Sequence, residues 1–235
     1  MALPKVNTPT YELAVPSTDE KIKYRPFLVK EEKILLIAME AQEQSGILNA
    51  VKDIVKSCTF DKFDVNKAPI FDIEYIFLNI RAKSVGEVST VNLRCPDDNE
   101  TFVQTDIDLT KVDVQITEGH TNKIELTDEM GMIMTYPTLD SFSDSTTVIN
   151  ASNMLDVIAS CVAQIYDKKG EDVYDAKDST KQELIDFIEQ LNAKQFADVQ
   201  SFFDTMPKLT HTVKIKNPKT KKESEITLTG LNDFF

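Results

Sequence analysis

Hydrophobic positions along the chain repeat first with a helical period, then with a period of two, then helically again, and the chain closes on a second alternating stretch. From Lys30, "KEEKILLIAMEAQEQ" places Ile34, Ile37, Ala38 and Ala41 on one helical face, with Glu31 and Glu32 in the first turn, where the helix dipole favours acids. Gly46 is expected to break this helix, and "ILNAVKDIVKSC" restarts it with Ile47, Val51, Ile54 and Val55 in register. "TFDKFDVNKAP" reads as a connection. "IFDIEYIFLNIRAKSVG" is unusually apolar from Ile70 to Ile80, as a central helix of this half would be, and stops near Gly86.

From residue 87 the period drops to two. "EVSTVNLRC" and "TFVQTDIDL" alternate, with Val91, Leu93, Phe102, Ile107 and Leu109 as the expected inward positions, and "VDVQIT", "NKIEL" and "GMIMTY" are further short strands. The Ser/Thr/Asp-rich stretch over 138–153 reads as a loop or joint. Helical patterning resumes in "MLDVIASCVAQIY", with Leu155, Ile158, Ala159, Val162 and Ile165 in one register. "STKQELIDFIEQL" opens with Ser179 or Thr180 as N-cap, and Glu183 completes a capping-box pattern with Thr180. "NAKQFADVQSFFDTMP" follows and is ended by Pro207.

The expected fold class is α+β: helical N- and C-terminal parts around two β-hairpins that resemble a degenerate zinc ribbon. Residues 1–29 form an extended arm, kept from helix by Pro4, Pro9, Pro16 and Pro26 yet rich enough in Tyr11, Leu13 and other apolar residues to lie along a surface. Residues 30–86 are helical, 87–137 hold the first hairpin and short strands, 138–207 are helical again, and 208–235 form a last hairpin packed on the first.

The two hairpin tips carry the chemical question. "LRCPDDNETF" (93–102) and "VKIKNPKTKKESEI" (213–226) both alternate, turn at a proline, and alternate again. A zinc site between such tips needs a Cys-x-x-Cys knuckle on each, and here only Cys95 remains. His120 and His211 are not at ligand spacing to it, and Asp97 and Asp98 read as turn carboxylates. No metal is expected, Cys95 being the remnant of a lost knuckle.

Composition narrows the function classes. The 235 residues are 41% hydrophobic, and 26 basic against 39 acidic side chains give a net charge of −13, unfavourable for nucleic acid or an anionic membrane. Three widely spaced cysteines suggest a reducing compartment, with Cys58 and Cys161 read as buried small hydrophobes, and no apolar run has signal-peptide or membrane-spanning length. Phosphate-cradle and nucleophile-elbow motifs are absent, two histidines restrict acid–base chemistry, and the acids around Asp140–Asp144 read as a solvated face. The expectation is a protein without enzymatic activity, cofactor or small-molecule substrate. Phe202 and Phe203 are adjacent in a helix and point about 100° apart, so one is expected inward and the other against a second element. Phe234 and Phe235 crowd a chain end. With Tyr11 and Leu13, these four are the candidates for a partner interface.

"FDIEYIFLNIRAKSVGE", a strand and "RCP", then "FFDTMPKLTHTVKI", a second hairpin and "LTGLNDFF" occur in an order that resembles the baseplate hub assembly proteins of T-even-like contractile-tailed bacteriophages, from about Pro26 to Phe235. Many members of that family carry Cys-Pro-x-Cys knuckles at both tips, from which this chain departs. The resemblance implies a tail morphogenesis protein that helps to assemble the central hub of the baseplate through contacts with other baseplate or hub proteins. A chaperone-like factor in the host cytoplasm is one form of that role, and a permanent structural subunit of the virion baseplate is the other.

Overall fold

The computed structural model describes residues 7–41, 44–141, 150, 153–168 and 172–234, with the backbone alone of residues 39, 44 and 45. They form two compact units, the second interrupting the first: residues 7–65, 71–115 and 208–234 make unit 1, and 66–70 with 116–207 make unit 2.

Unit 1 begins where an extended arm was expected. Strands β1 (Tyr11–Ala14) and β2 (Lys21–Tyr24) pair antiparallel, Tyr11 opposite Tyr24 and Leu13 opposite Ile22. The chain therefore turns back on itself and lies on its own unit, burying Val15, Ile22, Tyr24 and Phe27. Its turn is anchored by Ser17, whose amide and hydroxyl both donate to the buried Asp72 carboxylate. Three helices follow: α1 (Val29–Ala41), α2 (Gln44–Cys58) and α3 (Ile70–Ser84). Gly46 lies within the first turn of α2, where backbone amides lack intrahelical acceptors anyway. Helix α3 is central, burying Ile73, Ile76, Phe77, Leu78 and Ile80.

Helix α1 is seated on an unexpected side. Glu31 is its buried residue and Leu35 and Ala38 are half-buried, whereas Ile34, Ile37 and Ala41 are exposed. The buried acid explains the rotation. Arg25 Nη2 donates to Glu31 Oε1 at 2.9 Å, Ser57 Oγ lies 3.1 Å from the same oxygen, and the Leu28 amide donates to Oε2 at 2.6 Å. A paired carboxylate with this many donors outweighs an apolar stripe in deciding which face turns inward.

The first long hairpin pairs β3 (Val88–Arg94) with β4 (Phe102–Asp108), from Val88 opposite Asp108 to Arg94 opposite Phe102. Val91, Leu93, Ile107 and Leu109 point inward as the alternation predicts, but Phe102 does not. Residues 102 and 107 differ by an odd number and cannot share a face of one regular strand. Phe102 instead lies outside beneath the Arg94 guanidinium, 5.8 Å from its ring centre. The second hairpin pairs β10 (Lys208–Lys216) with β11 (Glu223–Thr229), and β5 (Asp113–Gln115) adds to β10 in the order β11-β10-β5. One apolar core unites Leu78 and Ala82 of α3 with Val91, Leu93 and Ile107 of the first hairpin and Leu209, Val213, Ile215 and Leu228 of the second.

Unit 2 is a four-stranded antiparallel sheet with helices. Its strands β6 (Lys123–Glu125), β7 (Met130–Met134), β8 (Val162–Asp167) and β9 (Val173–Asp175) run in that order. Helices α4 (Met154–Cys161), α5 (Lys181–Glu189) and α6 (Ala193–Thr205) complete its core through Val157, Ile158, Leu184, Ile188, Val199 and Phe202. The helix expected to run through Ile165 ends at Cys161. Val162 turns extended, and Val162–Asp167 pairs with β7 on one side and β9 on the other. Thr180 is the N-cap of α5, with both arms of its capping box made. Asn192 and Gln195 form a second box at α6.

Candidate interaction surface

The two hairpin tips have one backbone geometry. In the first, the Asn99 amide donates to the Cys95 carbonyl at 2.9 Å with Asn99 at φ 54°; in the second, the Lys221 amide donates to the Asn217 carbonyl at 2.9 Å with Lys221 at φ 65°. Cys95-Pro96 and Asn217-Pro218 occupy matching places in the two turns. The tips also meet. Asn217 is buried and its side-chain carbonyl accepts from the Lys219 and Thr220 amides, which fixes the orientation of its amide group. The Nδ2 group then donates to Asp97 Oδ1 and Asp98 Oδ2, each at 3.0 Å, and the Thr220 hydroxyl donates to Asp97.

The electrostatics follow from these donors. Hydrogen bonds from Asn217 and Thr220 hold the Asp97 carboxyl below its usual range, and bonds from the Thr101 hydroxyl and amide and from Asn217 hold Asp98 lower still. The Cys95 thiol is buried at the base of the tip, and burial together with the two carboxylates pushes it up. This donor set does not fit a metal, because Asn217 turns N–H groups, not lone pairs, toward the centre of the cluster. Among the described residues no group of three or more His, Cys, Asp or Glu is placed to hold an ion. The tips are joined by a polar clasp.

Unit 1 also carries an apolar groove of about 520 Å³ between α1, α2, α3 and the start of β3. Phe27, Val51 and Phe77 are the buried apolar part of its lining, Ser89 is buried with them, and Leu36, Val85 and Val88 are exposed along it. Glu32 and Arg81 are the charged residues of the lining, and burial lowers the Arg81 guanidinium pKa. Val85 is 60% exposed and Val88 57%, so they add an exposed apolar edge to a hollow lined with Phe and Leu.

The family model described as T4 bacteriophage base plate protein matches residues 8–235. The chain belongs to that family. No curated protein and no solved structure matches it. In this base plate protein, no helix among the described residues is long and apolar enough to cross a membrane.

The rings of Phe202, Phe203 and Phe234 do not form an exposed patch. Phe202 and Phe203 are both buried in the core of unit 2, their rings edge to face at 5.1 Å. Phe202 also stacks near Tyr136, and His120 lies beside both, its ring nitrogens 2.9 Å from the Thr205 hydroxyl and 3.1 Å from that of Tyr136. Phe234 is fully buried in the core of unit 1, where Ser89 Oγ donates to its carbonyl at 2.7 Å. These three rings are packed inside the chain, not presented at its surface. Phe235 lies outside the described residues. Tyr11 and Leu13 are half-buried on β1, with the Tyr11 and Tyr24 rings 5.6 Å apart. The groove and the exposed side of α1 were not legible in the sequence, where Ile34 and Ile37 read only as part of one apolar helical face. The available signal was Arg25, six residues ahead of Glu31 and able to draw it inward.

Proposed function

We propose that this protein works without catalysing a reaction, as a morphogenesis factor that assembles the central hub of the phage base plate by contact with other base plate proteins. The groove at Leu36, Val85 and Val88 is the observation that carries the reading, since it offers a concave apolar lining with an exposed apolar edge to an incoming side chain. Membership of the base plate family supports partners of that kind. The role is exercised in the host cytoplasm while tails are being built.

The test is a phage carrying Val85→Asp and Val88→Asp. Both positions are exposed, so the protein should fold, which circular dichroism checks. Hub assembly should fail, with the variant protein accumulating free of baseplate intermediates. Normal tail yield would exclude the groove as the contact. Mass spectrometry of purified native tails separates the two forms of the role: absence from tails marks a chaperone-like factor, and stoichiometric presence marks a permanent subunit.

A further inference from the structure

We propose that α1 pairs antiparallel with α1 of a second copy of this chain. The outward stripe of α1 has the spacing of a helix–helix seam. Ile34 and Ile37 are 47% and 55% exposed, Ala41 is exposed, and the intervals of three and four residues keep them in one row. The side of the helix about a quarter-turn away is already used by Glu31, Leu35 and Ala38. This row extends the apolar face of α1 beyond the side that the unit itself covers.

Charge selects the occupant. A two-fold interface must be self-complementary, each contact being returned by its mirror contact. When Ile34 of one helix faces Ile37 of an antiparallel copy, Lys30 faces Ala41 and its alkyl stem covers the small residue. In the same register the flanking position of Lys33 meets the flanking position of Glu40 in the partner helix, and Glu40 meets Lys33 in return. Lys33 and Glu40 lie one heptad apart on the same flank, the arrangement by which antiparallel helices pair like flanks. Both are exposed. A parallel pairing would set Lys33 against the other flank and lose both contacts. One register therefore satisfies the apolar row and both charges at once, and its only requirement is a second α1.

The contact is short, so association should be concentration-dependent, with a dissociation constant on the order of micromolar. Sedimentation velocity of the full chain from about 1 to about 200 µM is expected to show passage from one to two copies. Lys33→Glu or Glu40→Lys alone places like charges at both crossings and should weaken pairing about tenfold or more. The double variant restores opposite charges and should recover the native value. These positions are exposed, and thermal melts confirm that each variant folds. A native chain that stays single over the whole range overturns the proposal and leaves the stripe to a different protein. So does pairing that single reversals do not weaken. The base plate role stands apart from either result, because its groove variants read a different surface.

Discussion

The amide nitrogen of Asn217 lies 3.0 Å from Oδ2 of Asp98, joining two residues 119 positions apart in the chain. It is the point at which the two long hairpins of unit 1 are fastened tip to tip. Asn217→Ala should lower stability by about 1–3 kcal/mol, because two carboxylates and two backbone amides lose their partner. Asn217→Asp should cost more at pH 7, setting a third carboxylate against two, and should regain part of the loss below about pH 4 as the carboxylates protonate. Urea titrations at the two pH values check both outcomes. Equal stability of the three proteins at pH 7 would mean that the clasp contributes nothing.

Phe234→Ala should destabilise unit 1 by roughly 3–5 kcal/mol, the usual cost of emptying a buried phenylalanine site. The ring is completely enclosed and shares a core with Leu78, Ile107 and Leu209. Calorimetry would show an early transition in the variant, and an unshifted melt would place that ring outside the core.

Two glutamates give opposite pH dependence. Burial raises the Glu31 carboxyl, but Arg25, the Leu28 amide and Ser57 outweigh it and bring the pKa down to about 2 from 4.5. Its contribution, roughly 3 kcal/mol, is complete above pH 4.5 and is lost as the pH falls toward 2. Burial raises Glu74 to about 7, against the single Leu231 amide that donates to it at 3.1 Å. The folded chain therefore holds that proton longer than the unfolded chain does, and stability falls as the pH rises from 4.5 to 7. Glu74→Gln should stabilise the protein at pH 8 by about 1–3 kcal/mol and have little effect at pH 4. Denaturation at the two pH values decides it, and a variant less stable than native at pH 8 would reverse the sign.

Thiol labelling tests the burial of the cysteines. Burial pushes Cys58 up to about 11 and Cys161 up to about 12, and Cys95 is raised as well. None should react with a maleimide or aromatic disulfide in the native protein at pH 7.5, and all three should react in denaturant. Rapid native labelling of Cys95 would show that the tips part in solution.

Much of the fold was legible where one short-range rule acted alone. The continuous apolar run made α3 central, and Thr180 with Glu183 marked the start of α5. Alternation around two X-Pro turns located both long hairpins and suggested that they lie together, as the core shared by Leu93 and Ile215 shows. Sequence reading faltered where tertiary contacts overruled local pattern. Leu155 to Ile165 fits a helical period, yet two neighbouring strands take Val162–Asp167 into the sheet. The apolar row of α1 looked like a core face until the Arg25–Glu31 pair turned it outward. Phe202 and Phe203 were divided between two surfaces by the 100° rule, but a core wide enough to reach around α6 takes both. The box at Asn192 and Gln195 was plain in "NAKQ" and was passed over.

The interruption of unit 1 by unit 2 has a consequence for how the protein is made. A ribosome delivers α3 and the first hairpin early, but Leu209, Val213, Ile215, Leu228 and Phe234, which close the same core, come only after all of unit 2. Every residue of unit 2 thus leaves the ribosome before the residues that close the core of unit 1. A released chain cut short after Pro207 would carry all of unit 2 and a unit 1 that still exposes Leu78 and Ile107, a state that a cell's chaperones and proteases would recognise.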